Sequence, residues 1–240
     1  MSKKLLLISD THFSKNNELL FGYIDVEKNI ASLLKNMQQE KPDYIFVLGD
    51  ISQDGTVESY LQMKEFLLQF PCDKYVIMGN HDTFNISNLL SNGIFMKDHL
   101  DIDNHRFIFI SSYKGGGADD GFVQKSELSK ASELFDNKKS NYLLVHHHFI
   151  KTDGIIDTYI LENYLEFCNT ISKLPFKAIF HGHVHNNYNT ILSGINIHAA
   201  PSTCIQFALT KNLKLEPIIG YQTIILKDTS YEHKVFSKII

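Results

Sequence analysis

Three short apolar runs alternate with two amphipathic segments in the N-terminal third of the sequence, and this alternation restricts the fold more than any other feature. The runs lie at Leu5–Ser9, Tyr44–Leu48 and Lys74–Met78. Runs of this length and composition are typical of strands buried on both faces. The segments between them, Val26–Gln39 and Thr56–Phe70, carry apolar residues at helical spacing and are each followed by a proline. The resulting β-α-β-α-β pattern predicts parallel strands with right-handed crossovers.

The rest of the chain predicts a second group of elements. We expect strands at 106–111, 142–145 and 177–180, and helices at 125–135 and 158–172. After His185 the pattern predicts antiparallel strands with turns between them, at 189–192, 195–199, 221–226 and 233–236. Gly115-Gly116-Gly117 predicts a turn or a flexible segment. Because the sequence contains no repeat, low-complexity run or linker, we expect one α/β domain spanning residues 1–240.

Composition and charge exclude several classes of protein. Lys and Arg total 23 against 27 Asp and Glu, a net charge of −4, which argues against a dedicated nucleic-acid-binding protein. The apolar run Leu5–Ile8 is shorter than a secretory signal requires, and no stretch approaches the ~20 apolar residues of a membrane span. Three widely spaced cysteines predict reduced thiols. We therefore expect a cytoplasmic protein without nucleic-acid or membrane partners, and the sequence leaves its oligomeric state open.

Five polar clusters stand out because each follows a predicted strand. They are Asp10-Thr11-His12, Gly49-Asp50, Gly79-Asn80-His81-Asp82, His146-His147-His148 and Gly182-His183-Val184-His185. The carboxyl ends of parallel strands line one edge of an α/β sheet, where ligands bind. Side chains as far apart in sequence as Asp10 and His183 can therefore meet at one site.

The residue types in these clusters indicate a metal site. Asp, Asn and His offer oxygen and nitrogen donors without thiolate, a set that suits Mn, Fe, Zn or Co better than calcium. Seven candidate donors are too many for one tetrahedral ion but fit two ions that share a carboxylate. Asp50 suits the bridging position because Gly49 before it allows the backbone to approach closely. Each cluster alone could be an ordinary turn, and Asp82 could be a helix cap, so the prediction depends on their conjunction.

Together, the five clusters resemble those of the calcineurin-like metallophosphoesterase family, over about residues 5–200. The resemblance implies a four-layer α/β/β/α sandwich with mixed sheets. It implies that Asp50 bridges the two ions. The implied ligands of the first ion are Asp10, His12, Asp50 and His185, and those of the second are Asp50, Asn80, His146 and His183. Many relatives have His-His-Pro where this chain has His146-His147-His148, so His147 remains an alternative ligand.

The resemblance also assigns substrate-contacting residues. It implies that His81 contacts the phosphate and helps the leaving oxygen depart, and that Asp82 orients His81. The implied substrate-binding residues are His12, Asp50, Asn80, His81 and His185.

Two further stretches narrow the resemblance. Ile8–Phe13 with Leu20–Asp25 is similar to bacterial cyclic-nucleotide phosphodiesterases and glycerophosphodiesterases. Pro201–Phe207, with Gly220-Tyr221 after it, is similar to bacterial cyclic AMP phosphodiesterases, although it could also be a loop packed under the site.

The resemblance implies a phosphodiesterase that hydrolyses 3′,5′-cyclic AMP, a small molecule, to 5′-AMP through attack of a metal-bridging hydroxide. It implies two divalent cofactor ions, Fe(II) or Mn(II), with Zn or Co as alternatives. One alternative function is a broader phosphodiesterase for glycerophosphodiesters or 2′,3′-cyclic nucleotides, and another is a non-catalytic protein-binding scaffold. Outside the motifs we expect packing or surface roles for His99, His105, His233 and Cys204, whereas His198 could serve either purpose.

Overall fold

A computed structural model describes residues 2–91, 93–115 and 118–240, so Gly116 and Gly117 of the predicted glycine turn lie outside the described residues. These ranges contain fourteen strands, four α-helices and three short 3-10 helices. The strands are β1 (Lys3–Ile8), β2 (Tyr44–Leu48), β3 (Asp73–Ile77), β4 (Ile94–Phe95), β5 (His99–Ile102), β6 (His105–Phe109), β7 (Ser140–Leu144), β8 (Ala178–His181), β9 (Tyr188–Leu192), β10 (Ile195–Ala199), β11 (Gln206–Phe207), β12 (Leu215–Glu216), β13 (Ile218–Lys227) and β14 (Ser230–Ile239). The α-helices are α1 (Val26–Gln39), α2 (Val57–Leu67), α3 (Lys125–Glu133) and α4 (Tyr164–Ile171). The 3-10 helices are Lys15–Asn17, Phe84–Asn88 and Ile155–Tyr159.

Twelve of the described strands form two six-stranded mixed sheets, and β11 and β12 pair separately. The first sheet has the order β14-β13-β1-β2-β3-β4 and the second has the order β5-β6-β7-β8-β10-β9. In the first sheet β1, β2 and β3 run parallel, with Leu5 opposite Tyr44 and Tyr44 opposite Asp73. This pairing confirms the parallel strands predicted for the N-terminal third.

Alternate side chains of each strand enter different layers, because successive residues of a strand point to opposite faces. Leu5 and Leu7 of β1 lie in an apolar layer between the two sheets. Leu6 and Ile8 pack on the other face, against α1 and α2. On the outer face of the second sheet, α3 and α4 pack over a third apolar layer. The layers follow the order α/β/β/α, which confirms the predicted fold class.

The predicted elements differ from the structure at two places. The helix expected at 158–172 begins only at Tyr164, because Ile155–Tyr159 forms a separate 3-10 helix. The strands after His185 are not all antiparallel, since β10 pairs in parallel with β8 and antiparallel with β9. The antiparallel prediction holds for β13, which pairs with both β1 and β14.

Sequence patterns missed four short strands, β4, β5, β11 and β12. Each contains two to four residues, too few to establish a period-2 pattern. Asp103-Asn104 offered one local signal, since these residues form the tight turn between β5 and β6, with Asp103 at φ 50°. None of the helices in the described ranges combines the length and the apolarity that crossing a membrane requires.

Candidate metal centre

All seven predicted metal ligands lie just beyond the carboxyl end of a strand. Asp10 and His12 follow β1, Asp50 follows β2, and Asn80 follows β3. His146 follows β7, and His183 and His185 follow β8. All seven are at least nine-tenths buried. The first sheet supplies four of the residues and the second sheet supplies three, so the site lies where the two sheets meet.

The backbone leaves these strands in an unusual conformation. Five of the seven residues have φ values in the left-handed region, namely Asp10 (52°), His12 (50°), Asp50 (49°), His183 (68°) and His185 (50°). Left-handed backbone costs free energy for residues other than glycine, although Asp and His tolerate it better than most. Such strain concentrates at functional sites, where the surrounding structure enforces it.

The residue directly after β2, Gly49, must be a glycine. Gly49 has φ 92°, and a Cβ atom at this position would clash with the ring of His146. A residue with a side chain would therefore be strained and would displace a predicted ligand. Gly49 thus allows β2 and β7 to bring their end residues together.

Each of the four site histidines is held by one ring nitrogen. In every case the partner is a carbonyl oxygen, which can only accept, so the ring nitrogen donates. The bonds are His12 Nδ1 to Gln53 Oε1 (2.8 Å), His146 Nδ1 to Leu48 O (2.6 Å), His183 Nε2 to Tyr159 O (3.0 Å) and His185 Nδ1 to Ile205 O (3.1 Å). In a neutral ring the second nitrogen then carries a lone pair, which is the arrangement expected of metal-ligating histidines.

The first group of donors comprises Asp10, His12, Asp50 and His185. The Nε2 atoms of His12 and His185 lie 2.9 Å apart. His12 Nε2 lies 3.7 Å from Asp50 Oδ2, and His185 Nε2 lies 3.6 Å from Asp10 Oδ1. Two ring nitrogens that both carry lone pairs repel each other at this distance unless a proton or a metal ion lies between them. These are the four residues that the resemblance assigns to the first ion.

The second group comprises Asp50, Asn80, His146 and His183. His146 Nε2 lies 3.3 Å from Asp50 Oδ2 and 3.2 Å from Asn80 Oδ1. His183 Nδ1 lies 3.1 Å from Asn80 Oδ1. Asp50 Oδ2 therefore faces His12 of the first group and His146 of the second. This shared position is what a carboxylate that bridges two ions requires.

The two central carboxylates are buried without a permanent cation. Among the described residues, only histidines lie within ion-pair distance of Asp10 and Asp50. Burial raises the pKa of Asp10. Burial opposes ionisation of Asp50 as well, but the His146 ring beside it holds the pKa of Asp50 well below its usual range. An uncompensated buried charge is costly, so divalent cations fit this site electrostatically.

The four site histidines differ in their protonation state. Burial lowers the pKa values of His12, His183 and His185, so these rings are neutral at pH 7 and able to ligate. Burial also disfavours the charged form of His146, yet the neighbouring Asp50 carboxylate raises the pKa of His146 to about 9. A metal ion would have to displace this proton, as is general for histidine ligands.

The geometry supports His146 over His147 as the ligand, and the choice stays a prediction. His147 Nδ1 lies 2.7 Å from Ser112 Oγ, and its buried Nε2 has no hydrogen-bond partner within the described part of the chain. A nitrogen of His147 lies within 4.8 Å of donor atoms of His146 and His183. His146 differs in facing both Asp50 and Asn80 directly.

His81 lies beside Asp50 and Gln53, and no hydrogen bond joins its ring to Asp82 among the described residues. The backbone N–H of His81 donates to Asp50 Oδ1 (2.9 Å), and the His81 ring Nδ1 lies 3.3 Å from the carbonyl oxygen of Gln53. Among the described residues the hydrogen-bond partner of the His81 ring is therefore Gln53, and the predicted role of Asp82 in orienting His81 stays a prediction.

The Asp82 carboxylate instead joins the loops after β2 and β3. It accepts from the backbone N–H groups of Ile51, Ser52 and Gly79 and from the Tyr60 hydroxyl, at distances of 2.9 to 3.3 Å. Burial and the nearby Asp50 charge raise the pKa of Asp82 to about 6. Asp82 is thus a positioning residue for the loops that carry Asp50 and Asn80.

Sequence reasoning missed Gln53, Tyr60 and Ser112. Gln53 holds both His12 and His81, and its position three residues after Asp50 was the only available signal. The carbonyl oxygens of Tyr159 and Ile205 also went unpredicted, because a backbone oxygen is present at every residue and leaves no trace in the sequence.

A cavity of about 290 Å³ opens in front of the two donor groups. Its polar floor consists of His12, Asp50, Gln53, Asn80, His81, Asp119, His183 and His185. Its apolar wall consists of Leu20, Phe21, Ile155, Ile156, Tyr159, Phe207 and Leu213. The five predicted substrate-binding residues all belong to the polar floor.

The stretch Pro201–Phe207 packs under the site and also reaches the cavity. Ser202 Oγ donates to the carbonyl oxygen of Asp10 (2.9 Å), and Phe207 lines the cavity. Cys204 lies in a small apolar cluster, and burial raises the pKa of its thiol to about 12. Although its Sγ lies within 4.8 Å of donor atoms of His12 and His185, the protonated thiol is a poor ligand, in agreement with the predicted packing role.

Three other histidines lie in packed positions, as predicted for His105 and His233, whereas the role of His198 had been left open. His105 is buried, with Nδ1 3.0 Å from the Tyr142 hydroxyl and Nε2 donating to the carbonyl oxygen of Lys227 (2.7 Å). The centroids of the His198 and His233 rings lie 4.1 Å apart, and neither ring belongs to a donor group. These contacts place both His198 and His233 in the packed structure.

The four-layer fold and the clustered donor side chains at its strand ends define the class of the protein, a phosphoesterase. A family model described as calcineurin-like phosphoesterase matches residues 3–187. The chain therefore belongs to the calcineurin-like phosphoesterase family, a family of hydrolases, which confirms the predicted membership. The family uses a dinuclear site of divalent metal ions, and the two donor groups are the candidate ligands for it here.

Individual relatives agree with this membership. The chain is 30% identical to a probable cyclic nucleotide phosphodiesterase of Coxiella burnetii over 93% of this chain and 92% of the relative. It is 29% identical to a 3′,5′-cyclic adenosine monophosphate phosphodiesterase of Haemophilus influenzae, over 85% of this chain and 77% of the relative. A dimetal phosphatase of Danio rerio is similar in fold, with a TM-score of 0.65 and 11% identity, over 96% of this chain and 98% of that chain.

Proposed function

We propose that this protein hydrolyses 3′,5′-cyclic AMP to 5′-AMP at a site that holds two divalent ions. The observation that carries the proposal is the position of Asp50 Oδ2, which faces a ring nitrogen of each donor group. The substrate class is supported by relatives that are named cyclic nucleotide phosphodiesterases.

Asp10, His12, Asp50 and His185 would hold one ion, and Asp50, Asn80, His146 and His183 the other. When bound, two divalent ions lower the pKa of water and offset the negative charge of a phosphoryl group. The chain contributes neutral His12, His183 and His185 rings, which burial keeps in the form that can ligate. The left-handed backbone of five of these residues fixes their donors before any ion arrives.

His81 would act on the substrate itself. Its Nδ1 is occupied by the Gln53 carbonyl oxygen, so Nε2 is the nitrogen left for the cavity. In the protonated ring Nε2–H can donate to a phosphoryl oxygen, and it can transfer its proton to the 3′-oxygen as the P–O3′ bond breaks. The backbone bond from His81 N to Asp50 ties the position of this ring to the bridging carboxylate.

We further propose Fe(II) or Mn(II) as the physiological ions, since a mixed carboxylate, amide and imidazole set suits them, with Zn or Co able to use the same ligands. A cytoplasmic location agrees with the three cysteines, all of which are free thiols.

A substrate panel tests the proposed function. The purified protein is reconstituted with Mn²⁺ or Fe(II), and kcat/KM is measured on 3′,5′-cyclic AMP, 2′,3′-cyclic AMP and glycerophosphocholine. We expect 3′,5′-cyclic AMP to be hydrolysed with the highest kcat/KM and 5′-AMP to be the product. Chelation should abolish the reaction, and the return of metal should restore it.

Two outcomes would contradict the proposal in different ways. Comparable kcat/KM values on all three diesters would indicate a broad phosphodiesterase. Binding of two ions without turnover of any diester would indicate a non-catalytic scaffold. The presence of all seven predicted donors, close together in two groups, favours the enzyme over the scaffold.

A further inference from the structure

The apolar wall of the cavity has no role in holding ions or activating water. It is built by three separate segments, namely the turn at Leu20–Phe21, the 3-10 helix Ile155–Tyr159 and the segment from Phe207 to Leu213. Several of its side chains are exposed to a degree unusual for apolar residues, including Phe21 at 50%, Tyr159 at 39% and Leu213 at 61%. Apolar side chains that converge on one cavity and remain exposed indicate a surface that a ligand covers.

The wall is continuous with the donor groups. The Phe207 ring stacks on the ring of His185, with centroids 4.3 Å apart and an angle of 4° between the planes. The Phe21 ring lies beyond it, with its centroid 6.2 Å from that of Phe207. A molecule whose phosphate lies at His185 would therefore extend its other end along Phe207 and Phe21.

Phe21 is held in place by strained backbone. Its φ of 53° is in the left-handed region, which a bulky side chain rarely adopts. Leu20 and Ile24 close the turn around it, since the N–H of each donates to the carbonyl oxygen of the other at 2.9 Å. Packing does not offset the free-energy cost of this left-handed backbone, because half of Phe21 is exposed. Strain of this kind is retained where the side chain has a use.

We infer that the apolar wall binds the planar base of a nucleotide substrate through the face of the base, and that Phe21 is a specificity-determining residue. The inference rests on the proposed function for the position of the phosphate. A nucleobase has two apolar faces, and stacking on an aromatic side chain strengthens binding. A diester that carries only glycerol has no planar group to stack on the wall, and a choline group can contact an aromatic ring only through its cation. The wall therefore favours nucleotides over diesters that lack an aromatic or cationic group.

Calorimetry on the Mn²⁺-loaded protein tests this inference with two ligands that share a phosphate and differ in the base. The ligands are 5′-AMP and ribose 5-phosphate. We expect the wild-type protein to bind 5′-AMP at least about 5-fold more tightly. Phe21→Ala should weaken 5′-AMP binding by at least about 5-fold and leave ribose 5-phosphate binding unchanged. Phe21→Trp, which keeps an aromatic face, should restore 5′-AMP binding.

Tyr23→Ala is the matched control. Tyr23 lies in the same turn and is 67% exposed, but it does not line this cavity. Its removal should leave the affinities for both ligands unchanged. Because Phe21 is half-exposed, its replacement should not prevent folding, and the unchanged binding of ribose 5-phosphate verifies this for each variant.

Two results would overturn the inference. One is equal affinity of the wild-type protein for the two ligands, and the other is a Phe21→Ala variant that loses both ligands alike. Failure of the proposed function is separate and is detected on bis(p-nitrophenyl) phosphate. The metal-loaded protein can fail to hydrolyse this diester and still bind 5′-AMP in a Phe21-dependent manner. In that case the inference that the wall binds the base is supported and the proposed activity is wrong.

Discussion

One carboxylate oxygen, Asp50 Oδ2, faces both donor groups, and this makes Asp50 the residue whose loss should affect the site most. Asp50→Asn keeps the shape of the side chain and removes its charge. We expect the variant to lose tight binding of both ions, because a neutral amide cannot compensate two dications. Metal content by mass spectrometry should fall well below two ions per chain, and activity should fall by roughly 10³-fold or more, as for loss of a central electrostatic group.

Asp153→Asn is the control for this change. Asp153 shares the left-handed backbone of Asp50, with φ 59°, but it is exposed and lies outside both donor groups. It should retain two ions and normal activity. Retention of two ions by Asp50→Asn would show that Asp50 does not bridge them.

His81 should affect turnover without affecting metal content. Its ring contacts the Gln53 carbonyl oxygen and lines the cavity. One ring nitrogen also lies within 4.8 Å of donor atoms of His12 and Asp50, but the resemblance assigns His81 to the substrate and to neither ion. We expect His81→Gln to lower kcat by about 10²- to 10⁴-fold, the usual contribution of a general acid, while two ions remain bound. A parallel loss of metal would instead place His81 among the ligands.

At the residue scale, the sequence predicted which side chains meet at the site better than it predicted the atoms that orient them. Asp10, Asp50 and His183 are polar residues directly after apolar runs, so their meeting followed from the rule for parallel strands. The atoms that orient the histidines are largely backbone oxygens, such as those of Leu48 and Ile205, brought near by tertiary structure. No side-chain pattern encodes them.

At the scale of elements, the loops after β2 and β3 depend on the buried Asp82–Tyr60 contact. The Tyr60 hydroxyl donates to Asp82 Oδ1 (3.1 Å) and accepts from the backbone N–H of Thr83 (2.7 Å). Tyr60 is fully buried on α2. A single hydroxyl thus connects this helix to the loop that carries Asn80 and His81.

Removal of this hydroxyl should destabilise the fold. Tyr60→Phe leaves the N–H of Thr83 and one oxygen of Asp82 without this partner. We expect the free energy of unfolding to fall by about 1–3 kcal/mol, the cost of an unsatisfied buried polar group. Urea denaturation of the metal-free protein measures it. Tyr23→Phe, which removes an exposed hydroxyl, should have no effect, and equal stability of the two variants would contradict the role given to Tyr60.

Two helices show what element prediction depends on. The bounds of α1 were predicted to the residue because local signals agree there, with Asp25 capping the N-terminus through the N–H of Lys28 (2.9 Å). The helix predicted at 158–172 begins too early in the prediction, because the Asp157 side chain forms hydrogen bonds to the preceding loop. Its carboxylate accepts from the N–H groups of Thr152 and Asp153, which holds the chain in a tight turn.

At the scale of the whole molecule, a pair of histidines outside the two donor groups should make stability depend on pH. The rings of His198 and His233 lie in contact, and burial lowers the pKa of His198 to about 3 and that of His233 to about 4. In the unfolded chain both titrate near 6.5. The unfolded state therefore binds more protons, so this contribution to stability is present above about pH 6.5 and is lost as the pH falls toward 4.

The variant His233→Phe isolates this effect. His233 Nε2 is buried without a hydrogen-bond partner among the described residues, so a phenyl ring suits the position. We expect the loss of unfolding free energy between pH 7 and pH 5 to be smaller in the variant by about 1 kcal/mol, a value discounted because His233 is only partly buried. Urea denaturation of metal-free proteins at both pH values measures it. His99→Phe, on β5, is the control, and an identical pH dependence in all three proteins would refute the prediction.

The layers could be predicted from the sequence, but the complete order of strands could not. Runs such as Tyr44–Leu48 predicted parallel neighbours because βαβ crossovers obey a handedness rule. The insertion of β13 between β14 and β1 obeys no comparable rule. It depends on contacts between opposite ends of the chain, which local patterns do not record.

That insertion has a consequence for biosynthesis. Leu5 of β1 pairs with Tyr44 on one side and with Ile224 on the other. A ribosome must therefore translate the chain through Ile224 before β1 acquires its second neighbour. Until then one edge of β1 is open to pairing with other nascent chains, a known route to aggregation. Rapid docking of the β13–β14 hairpin once it is translated would close this route.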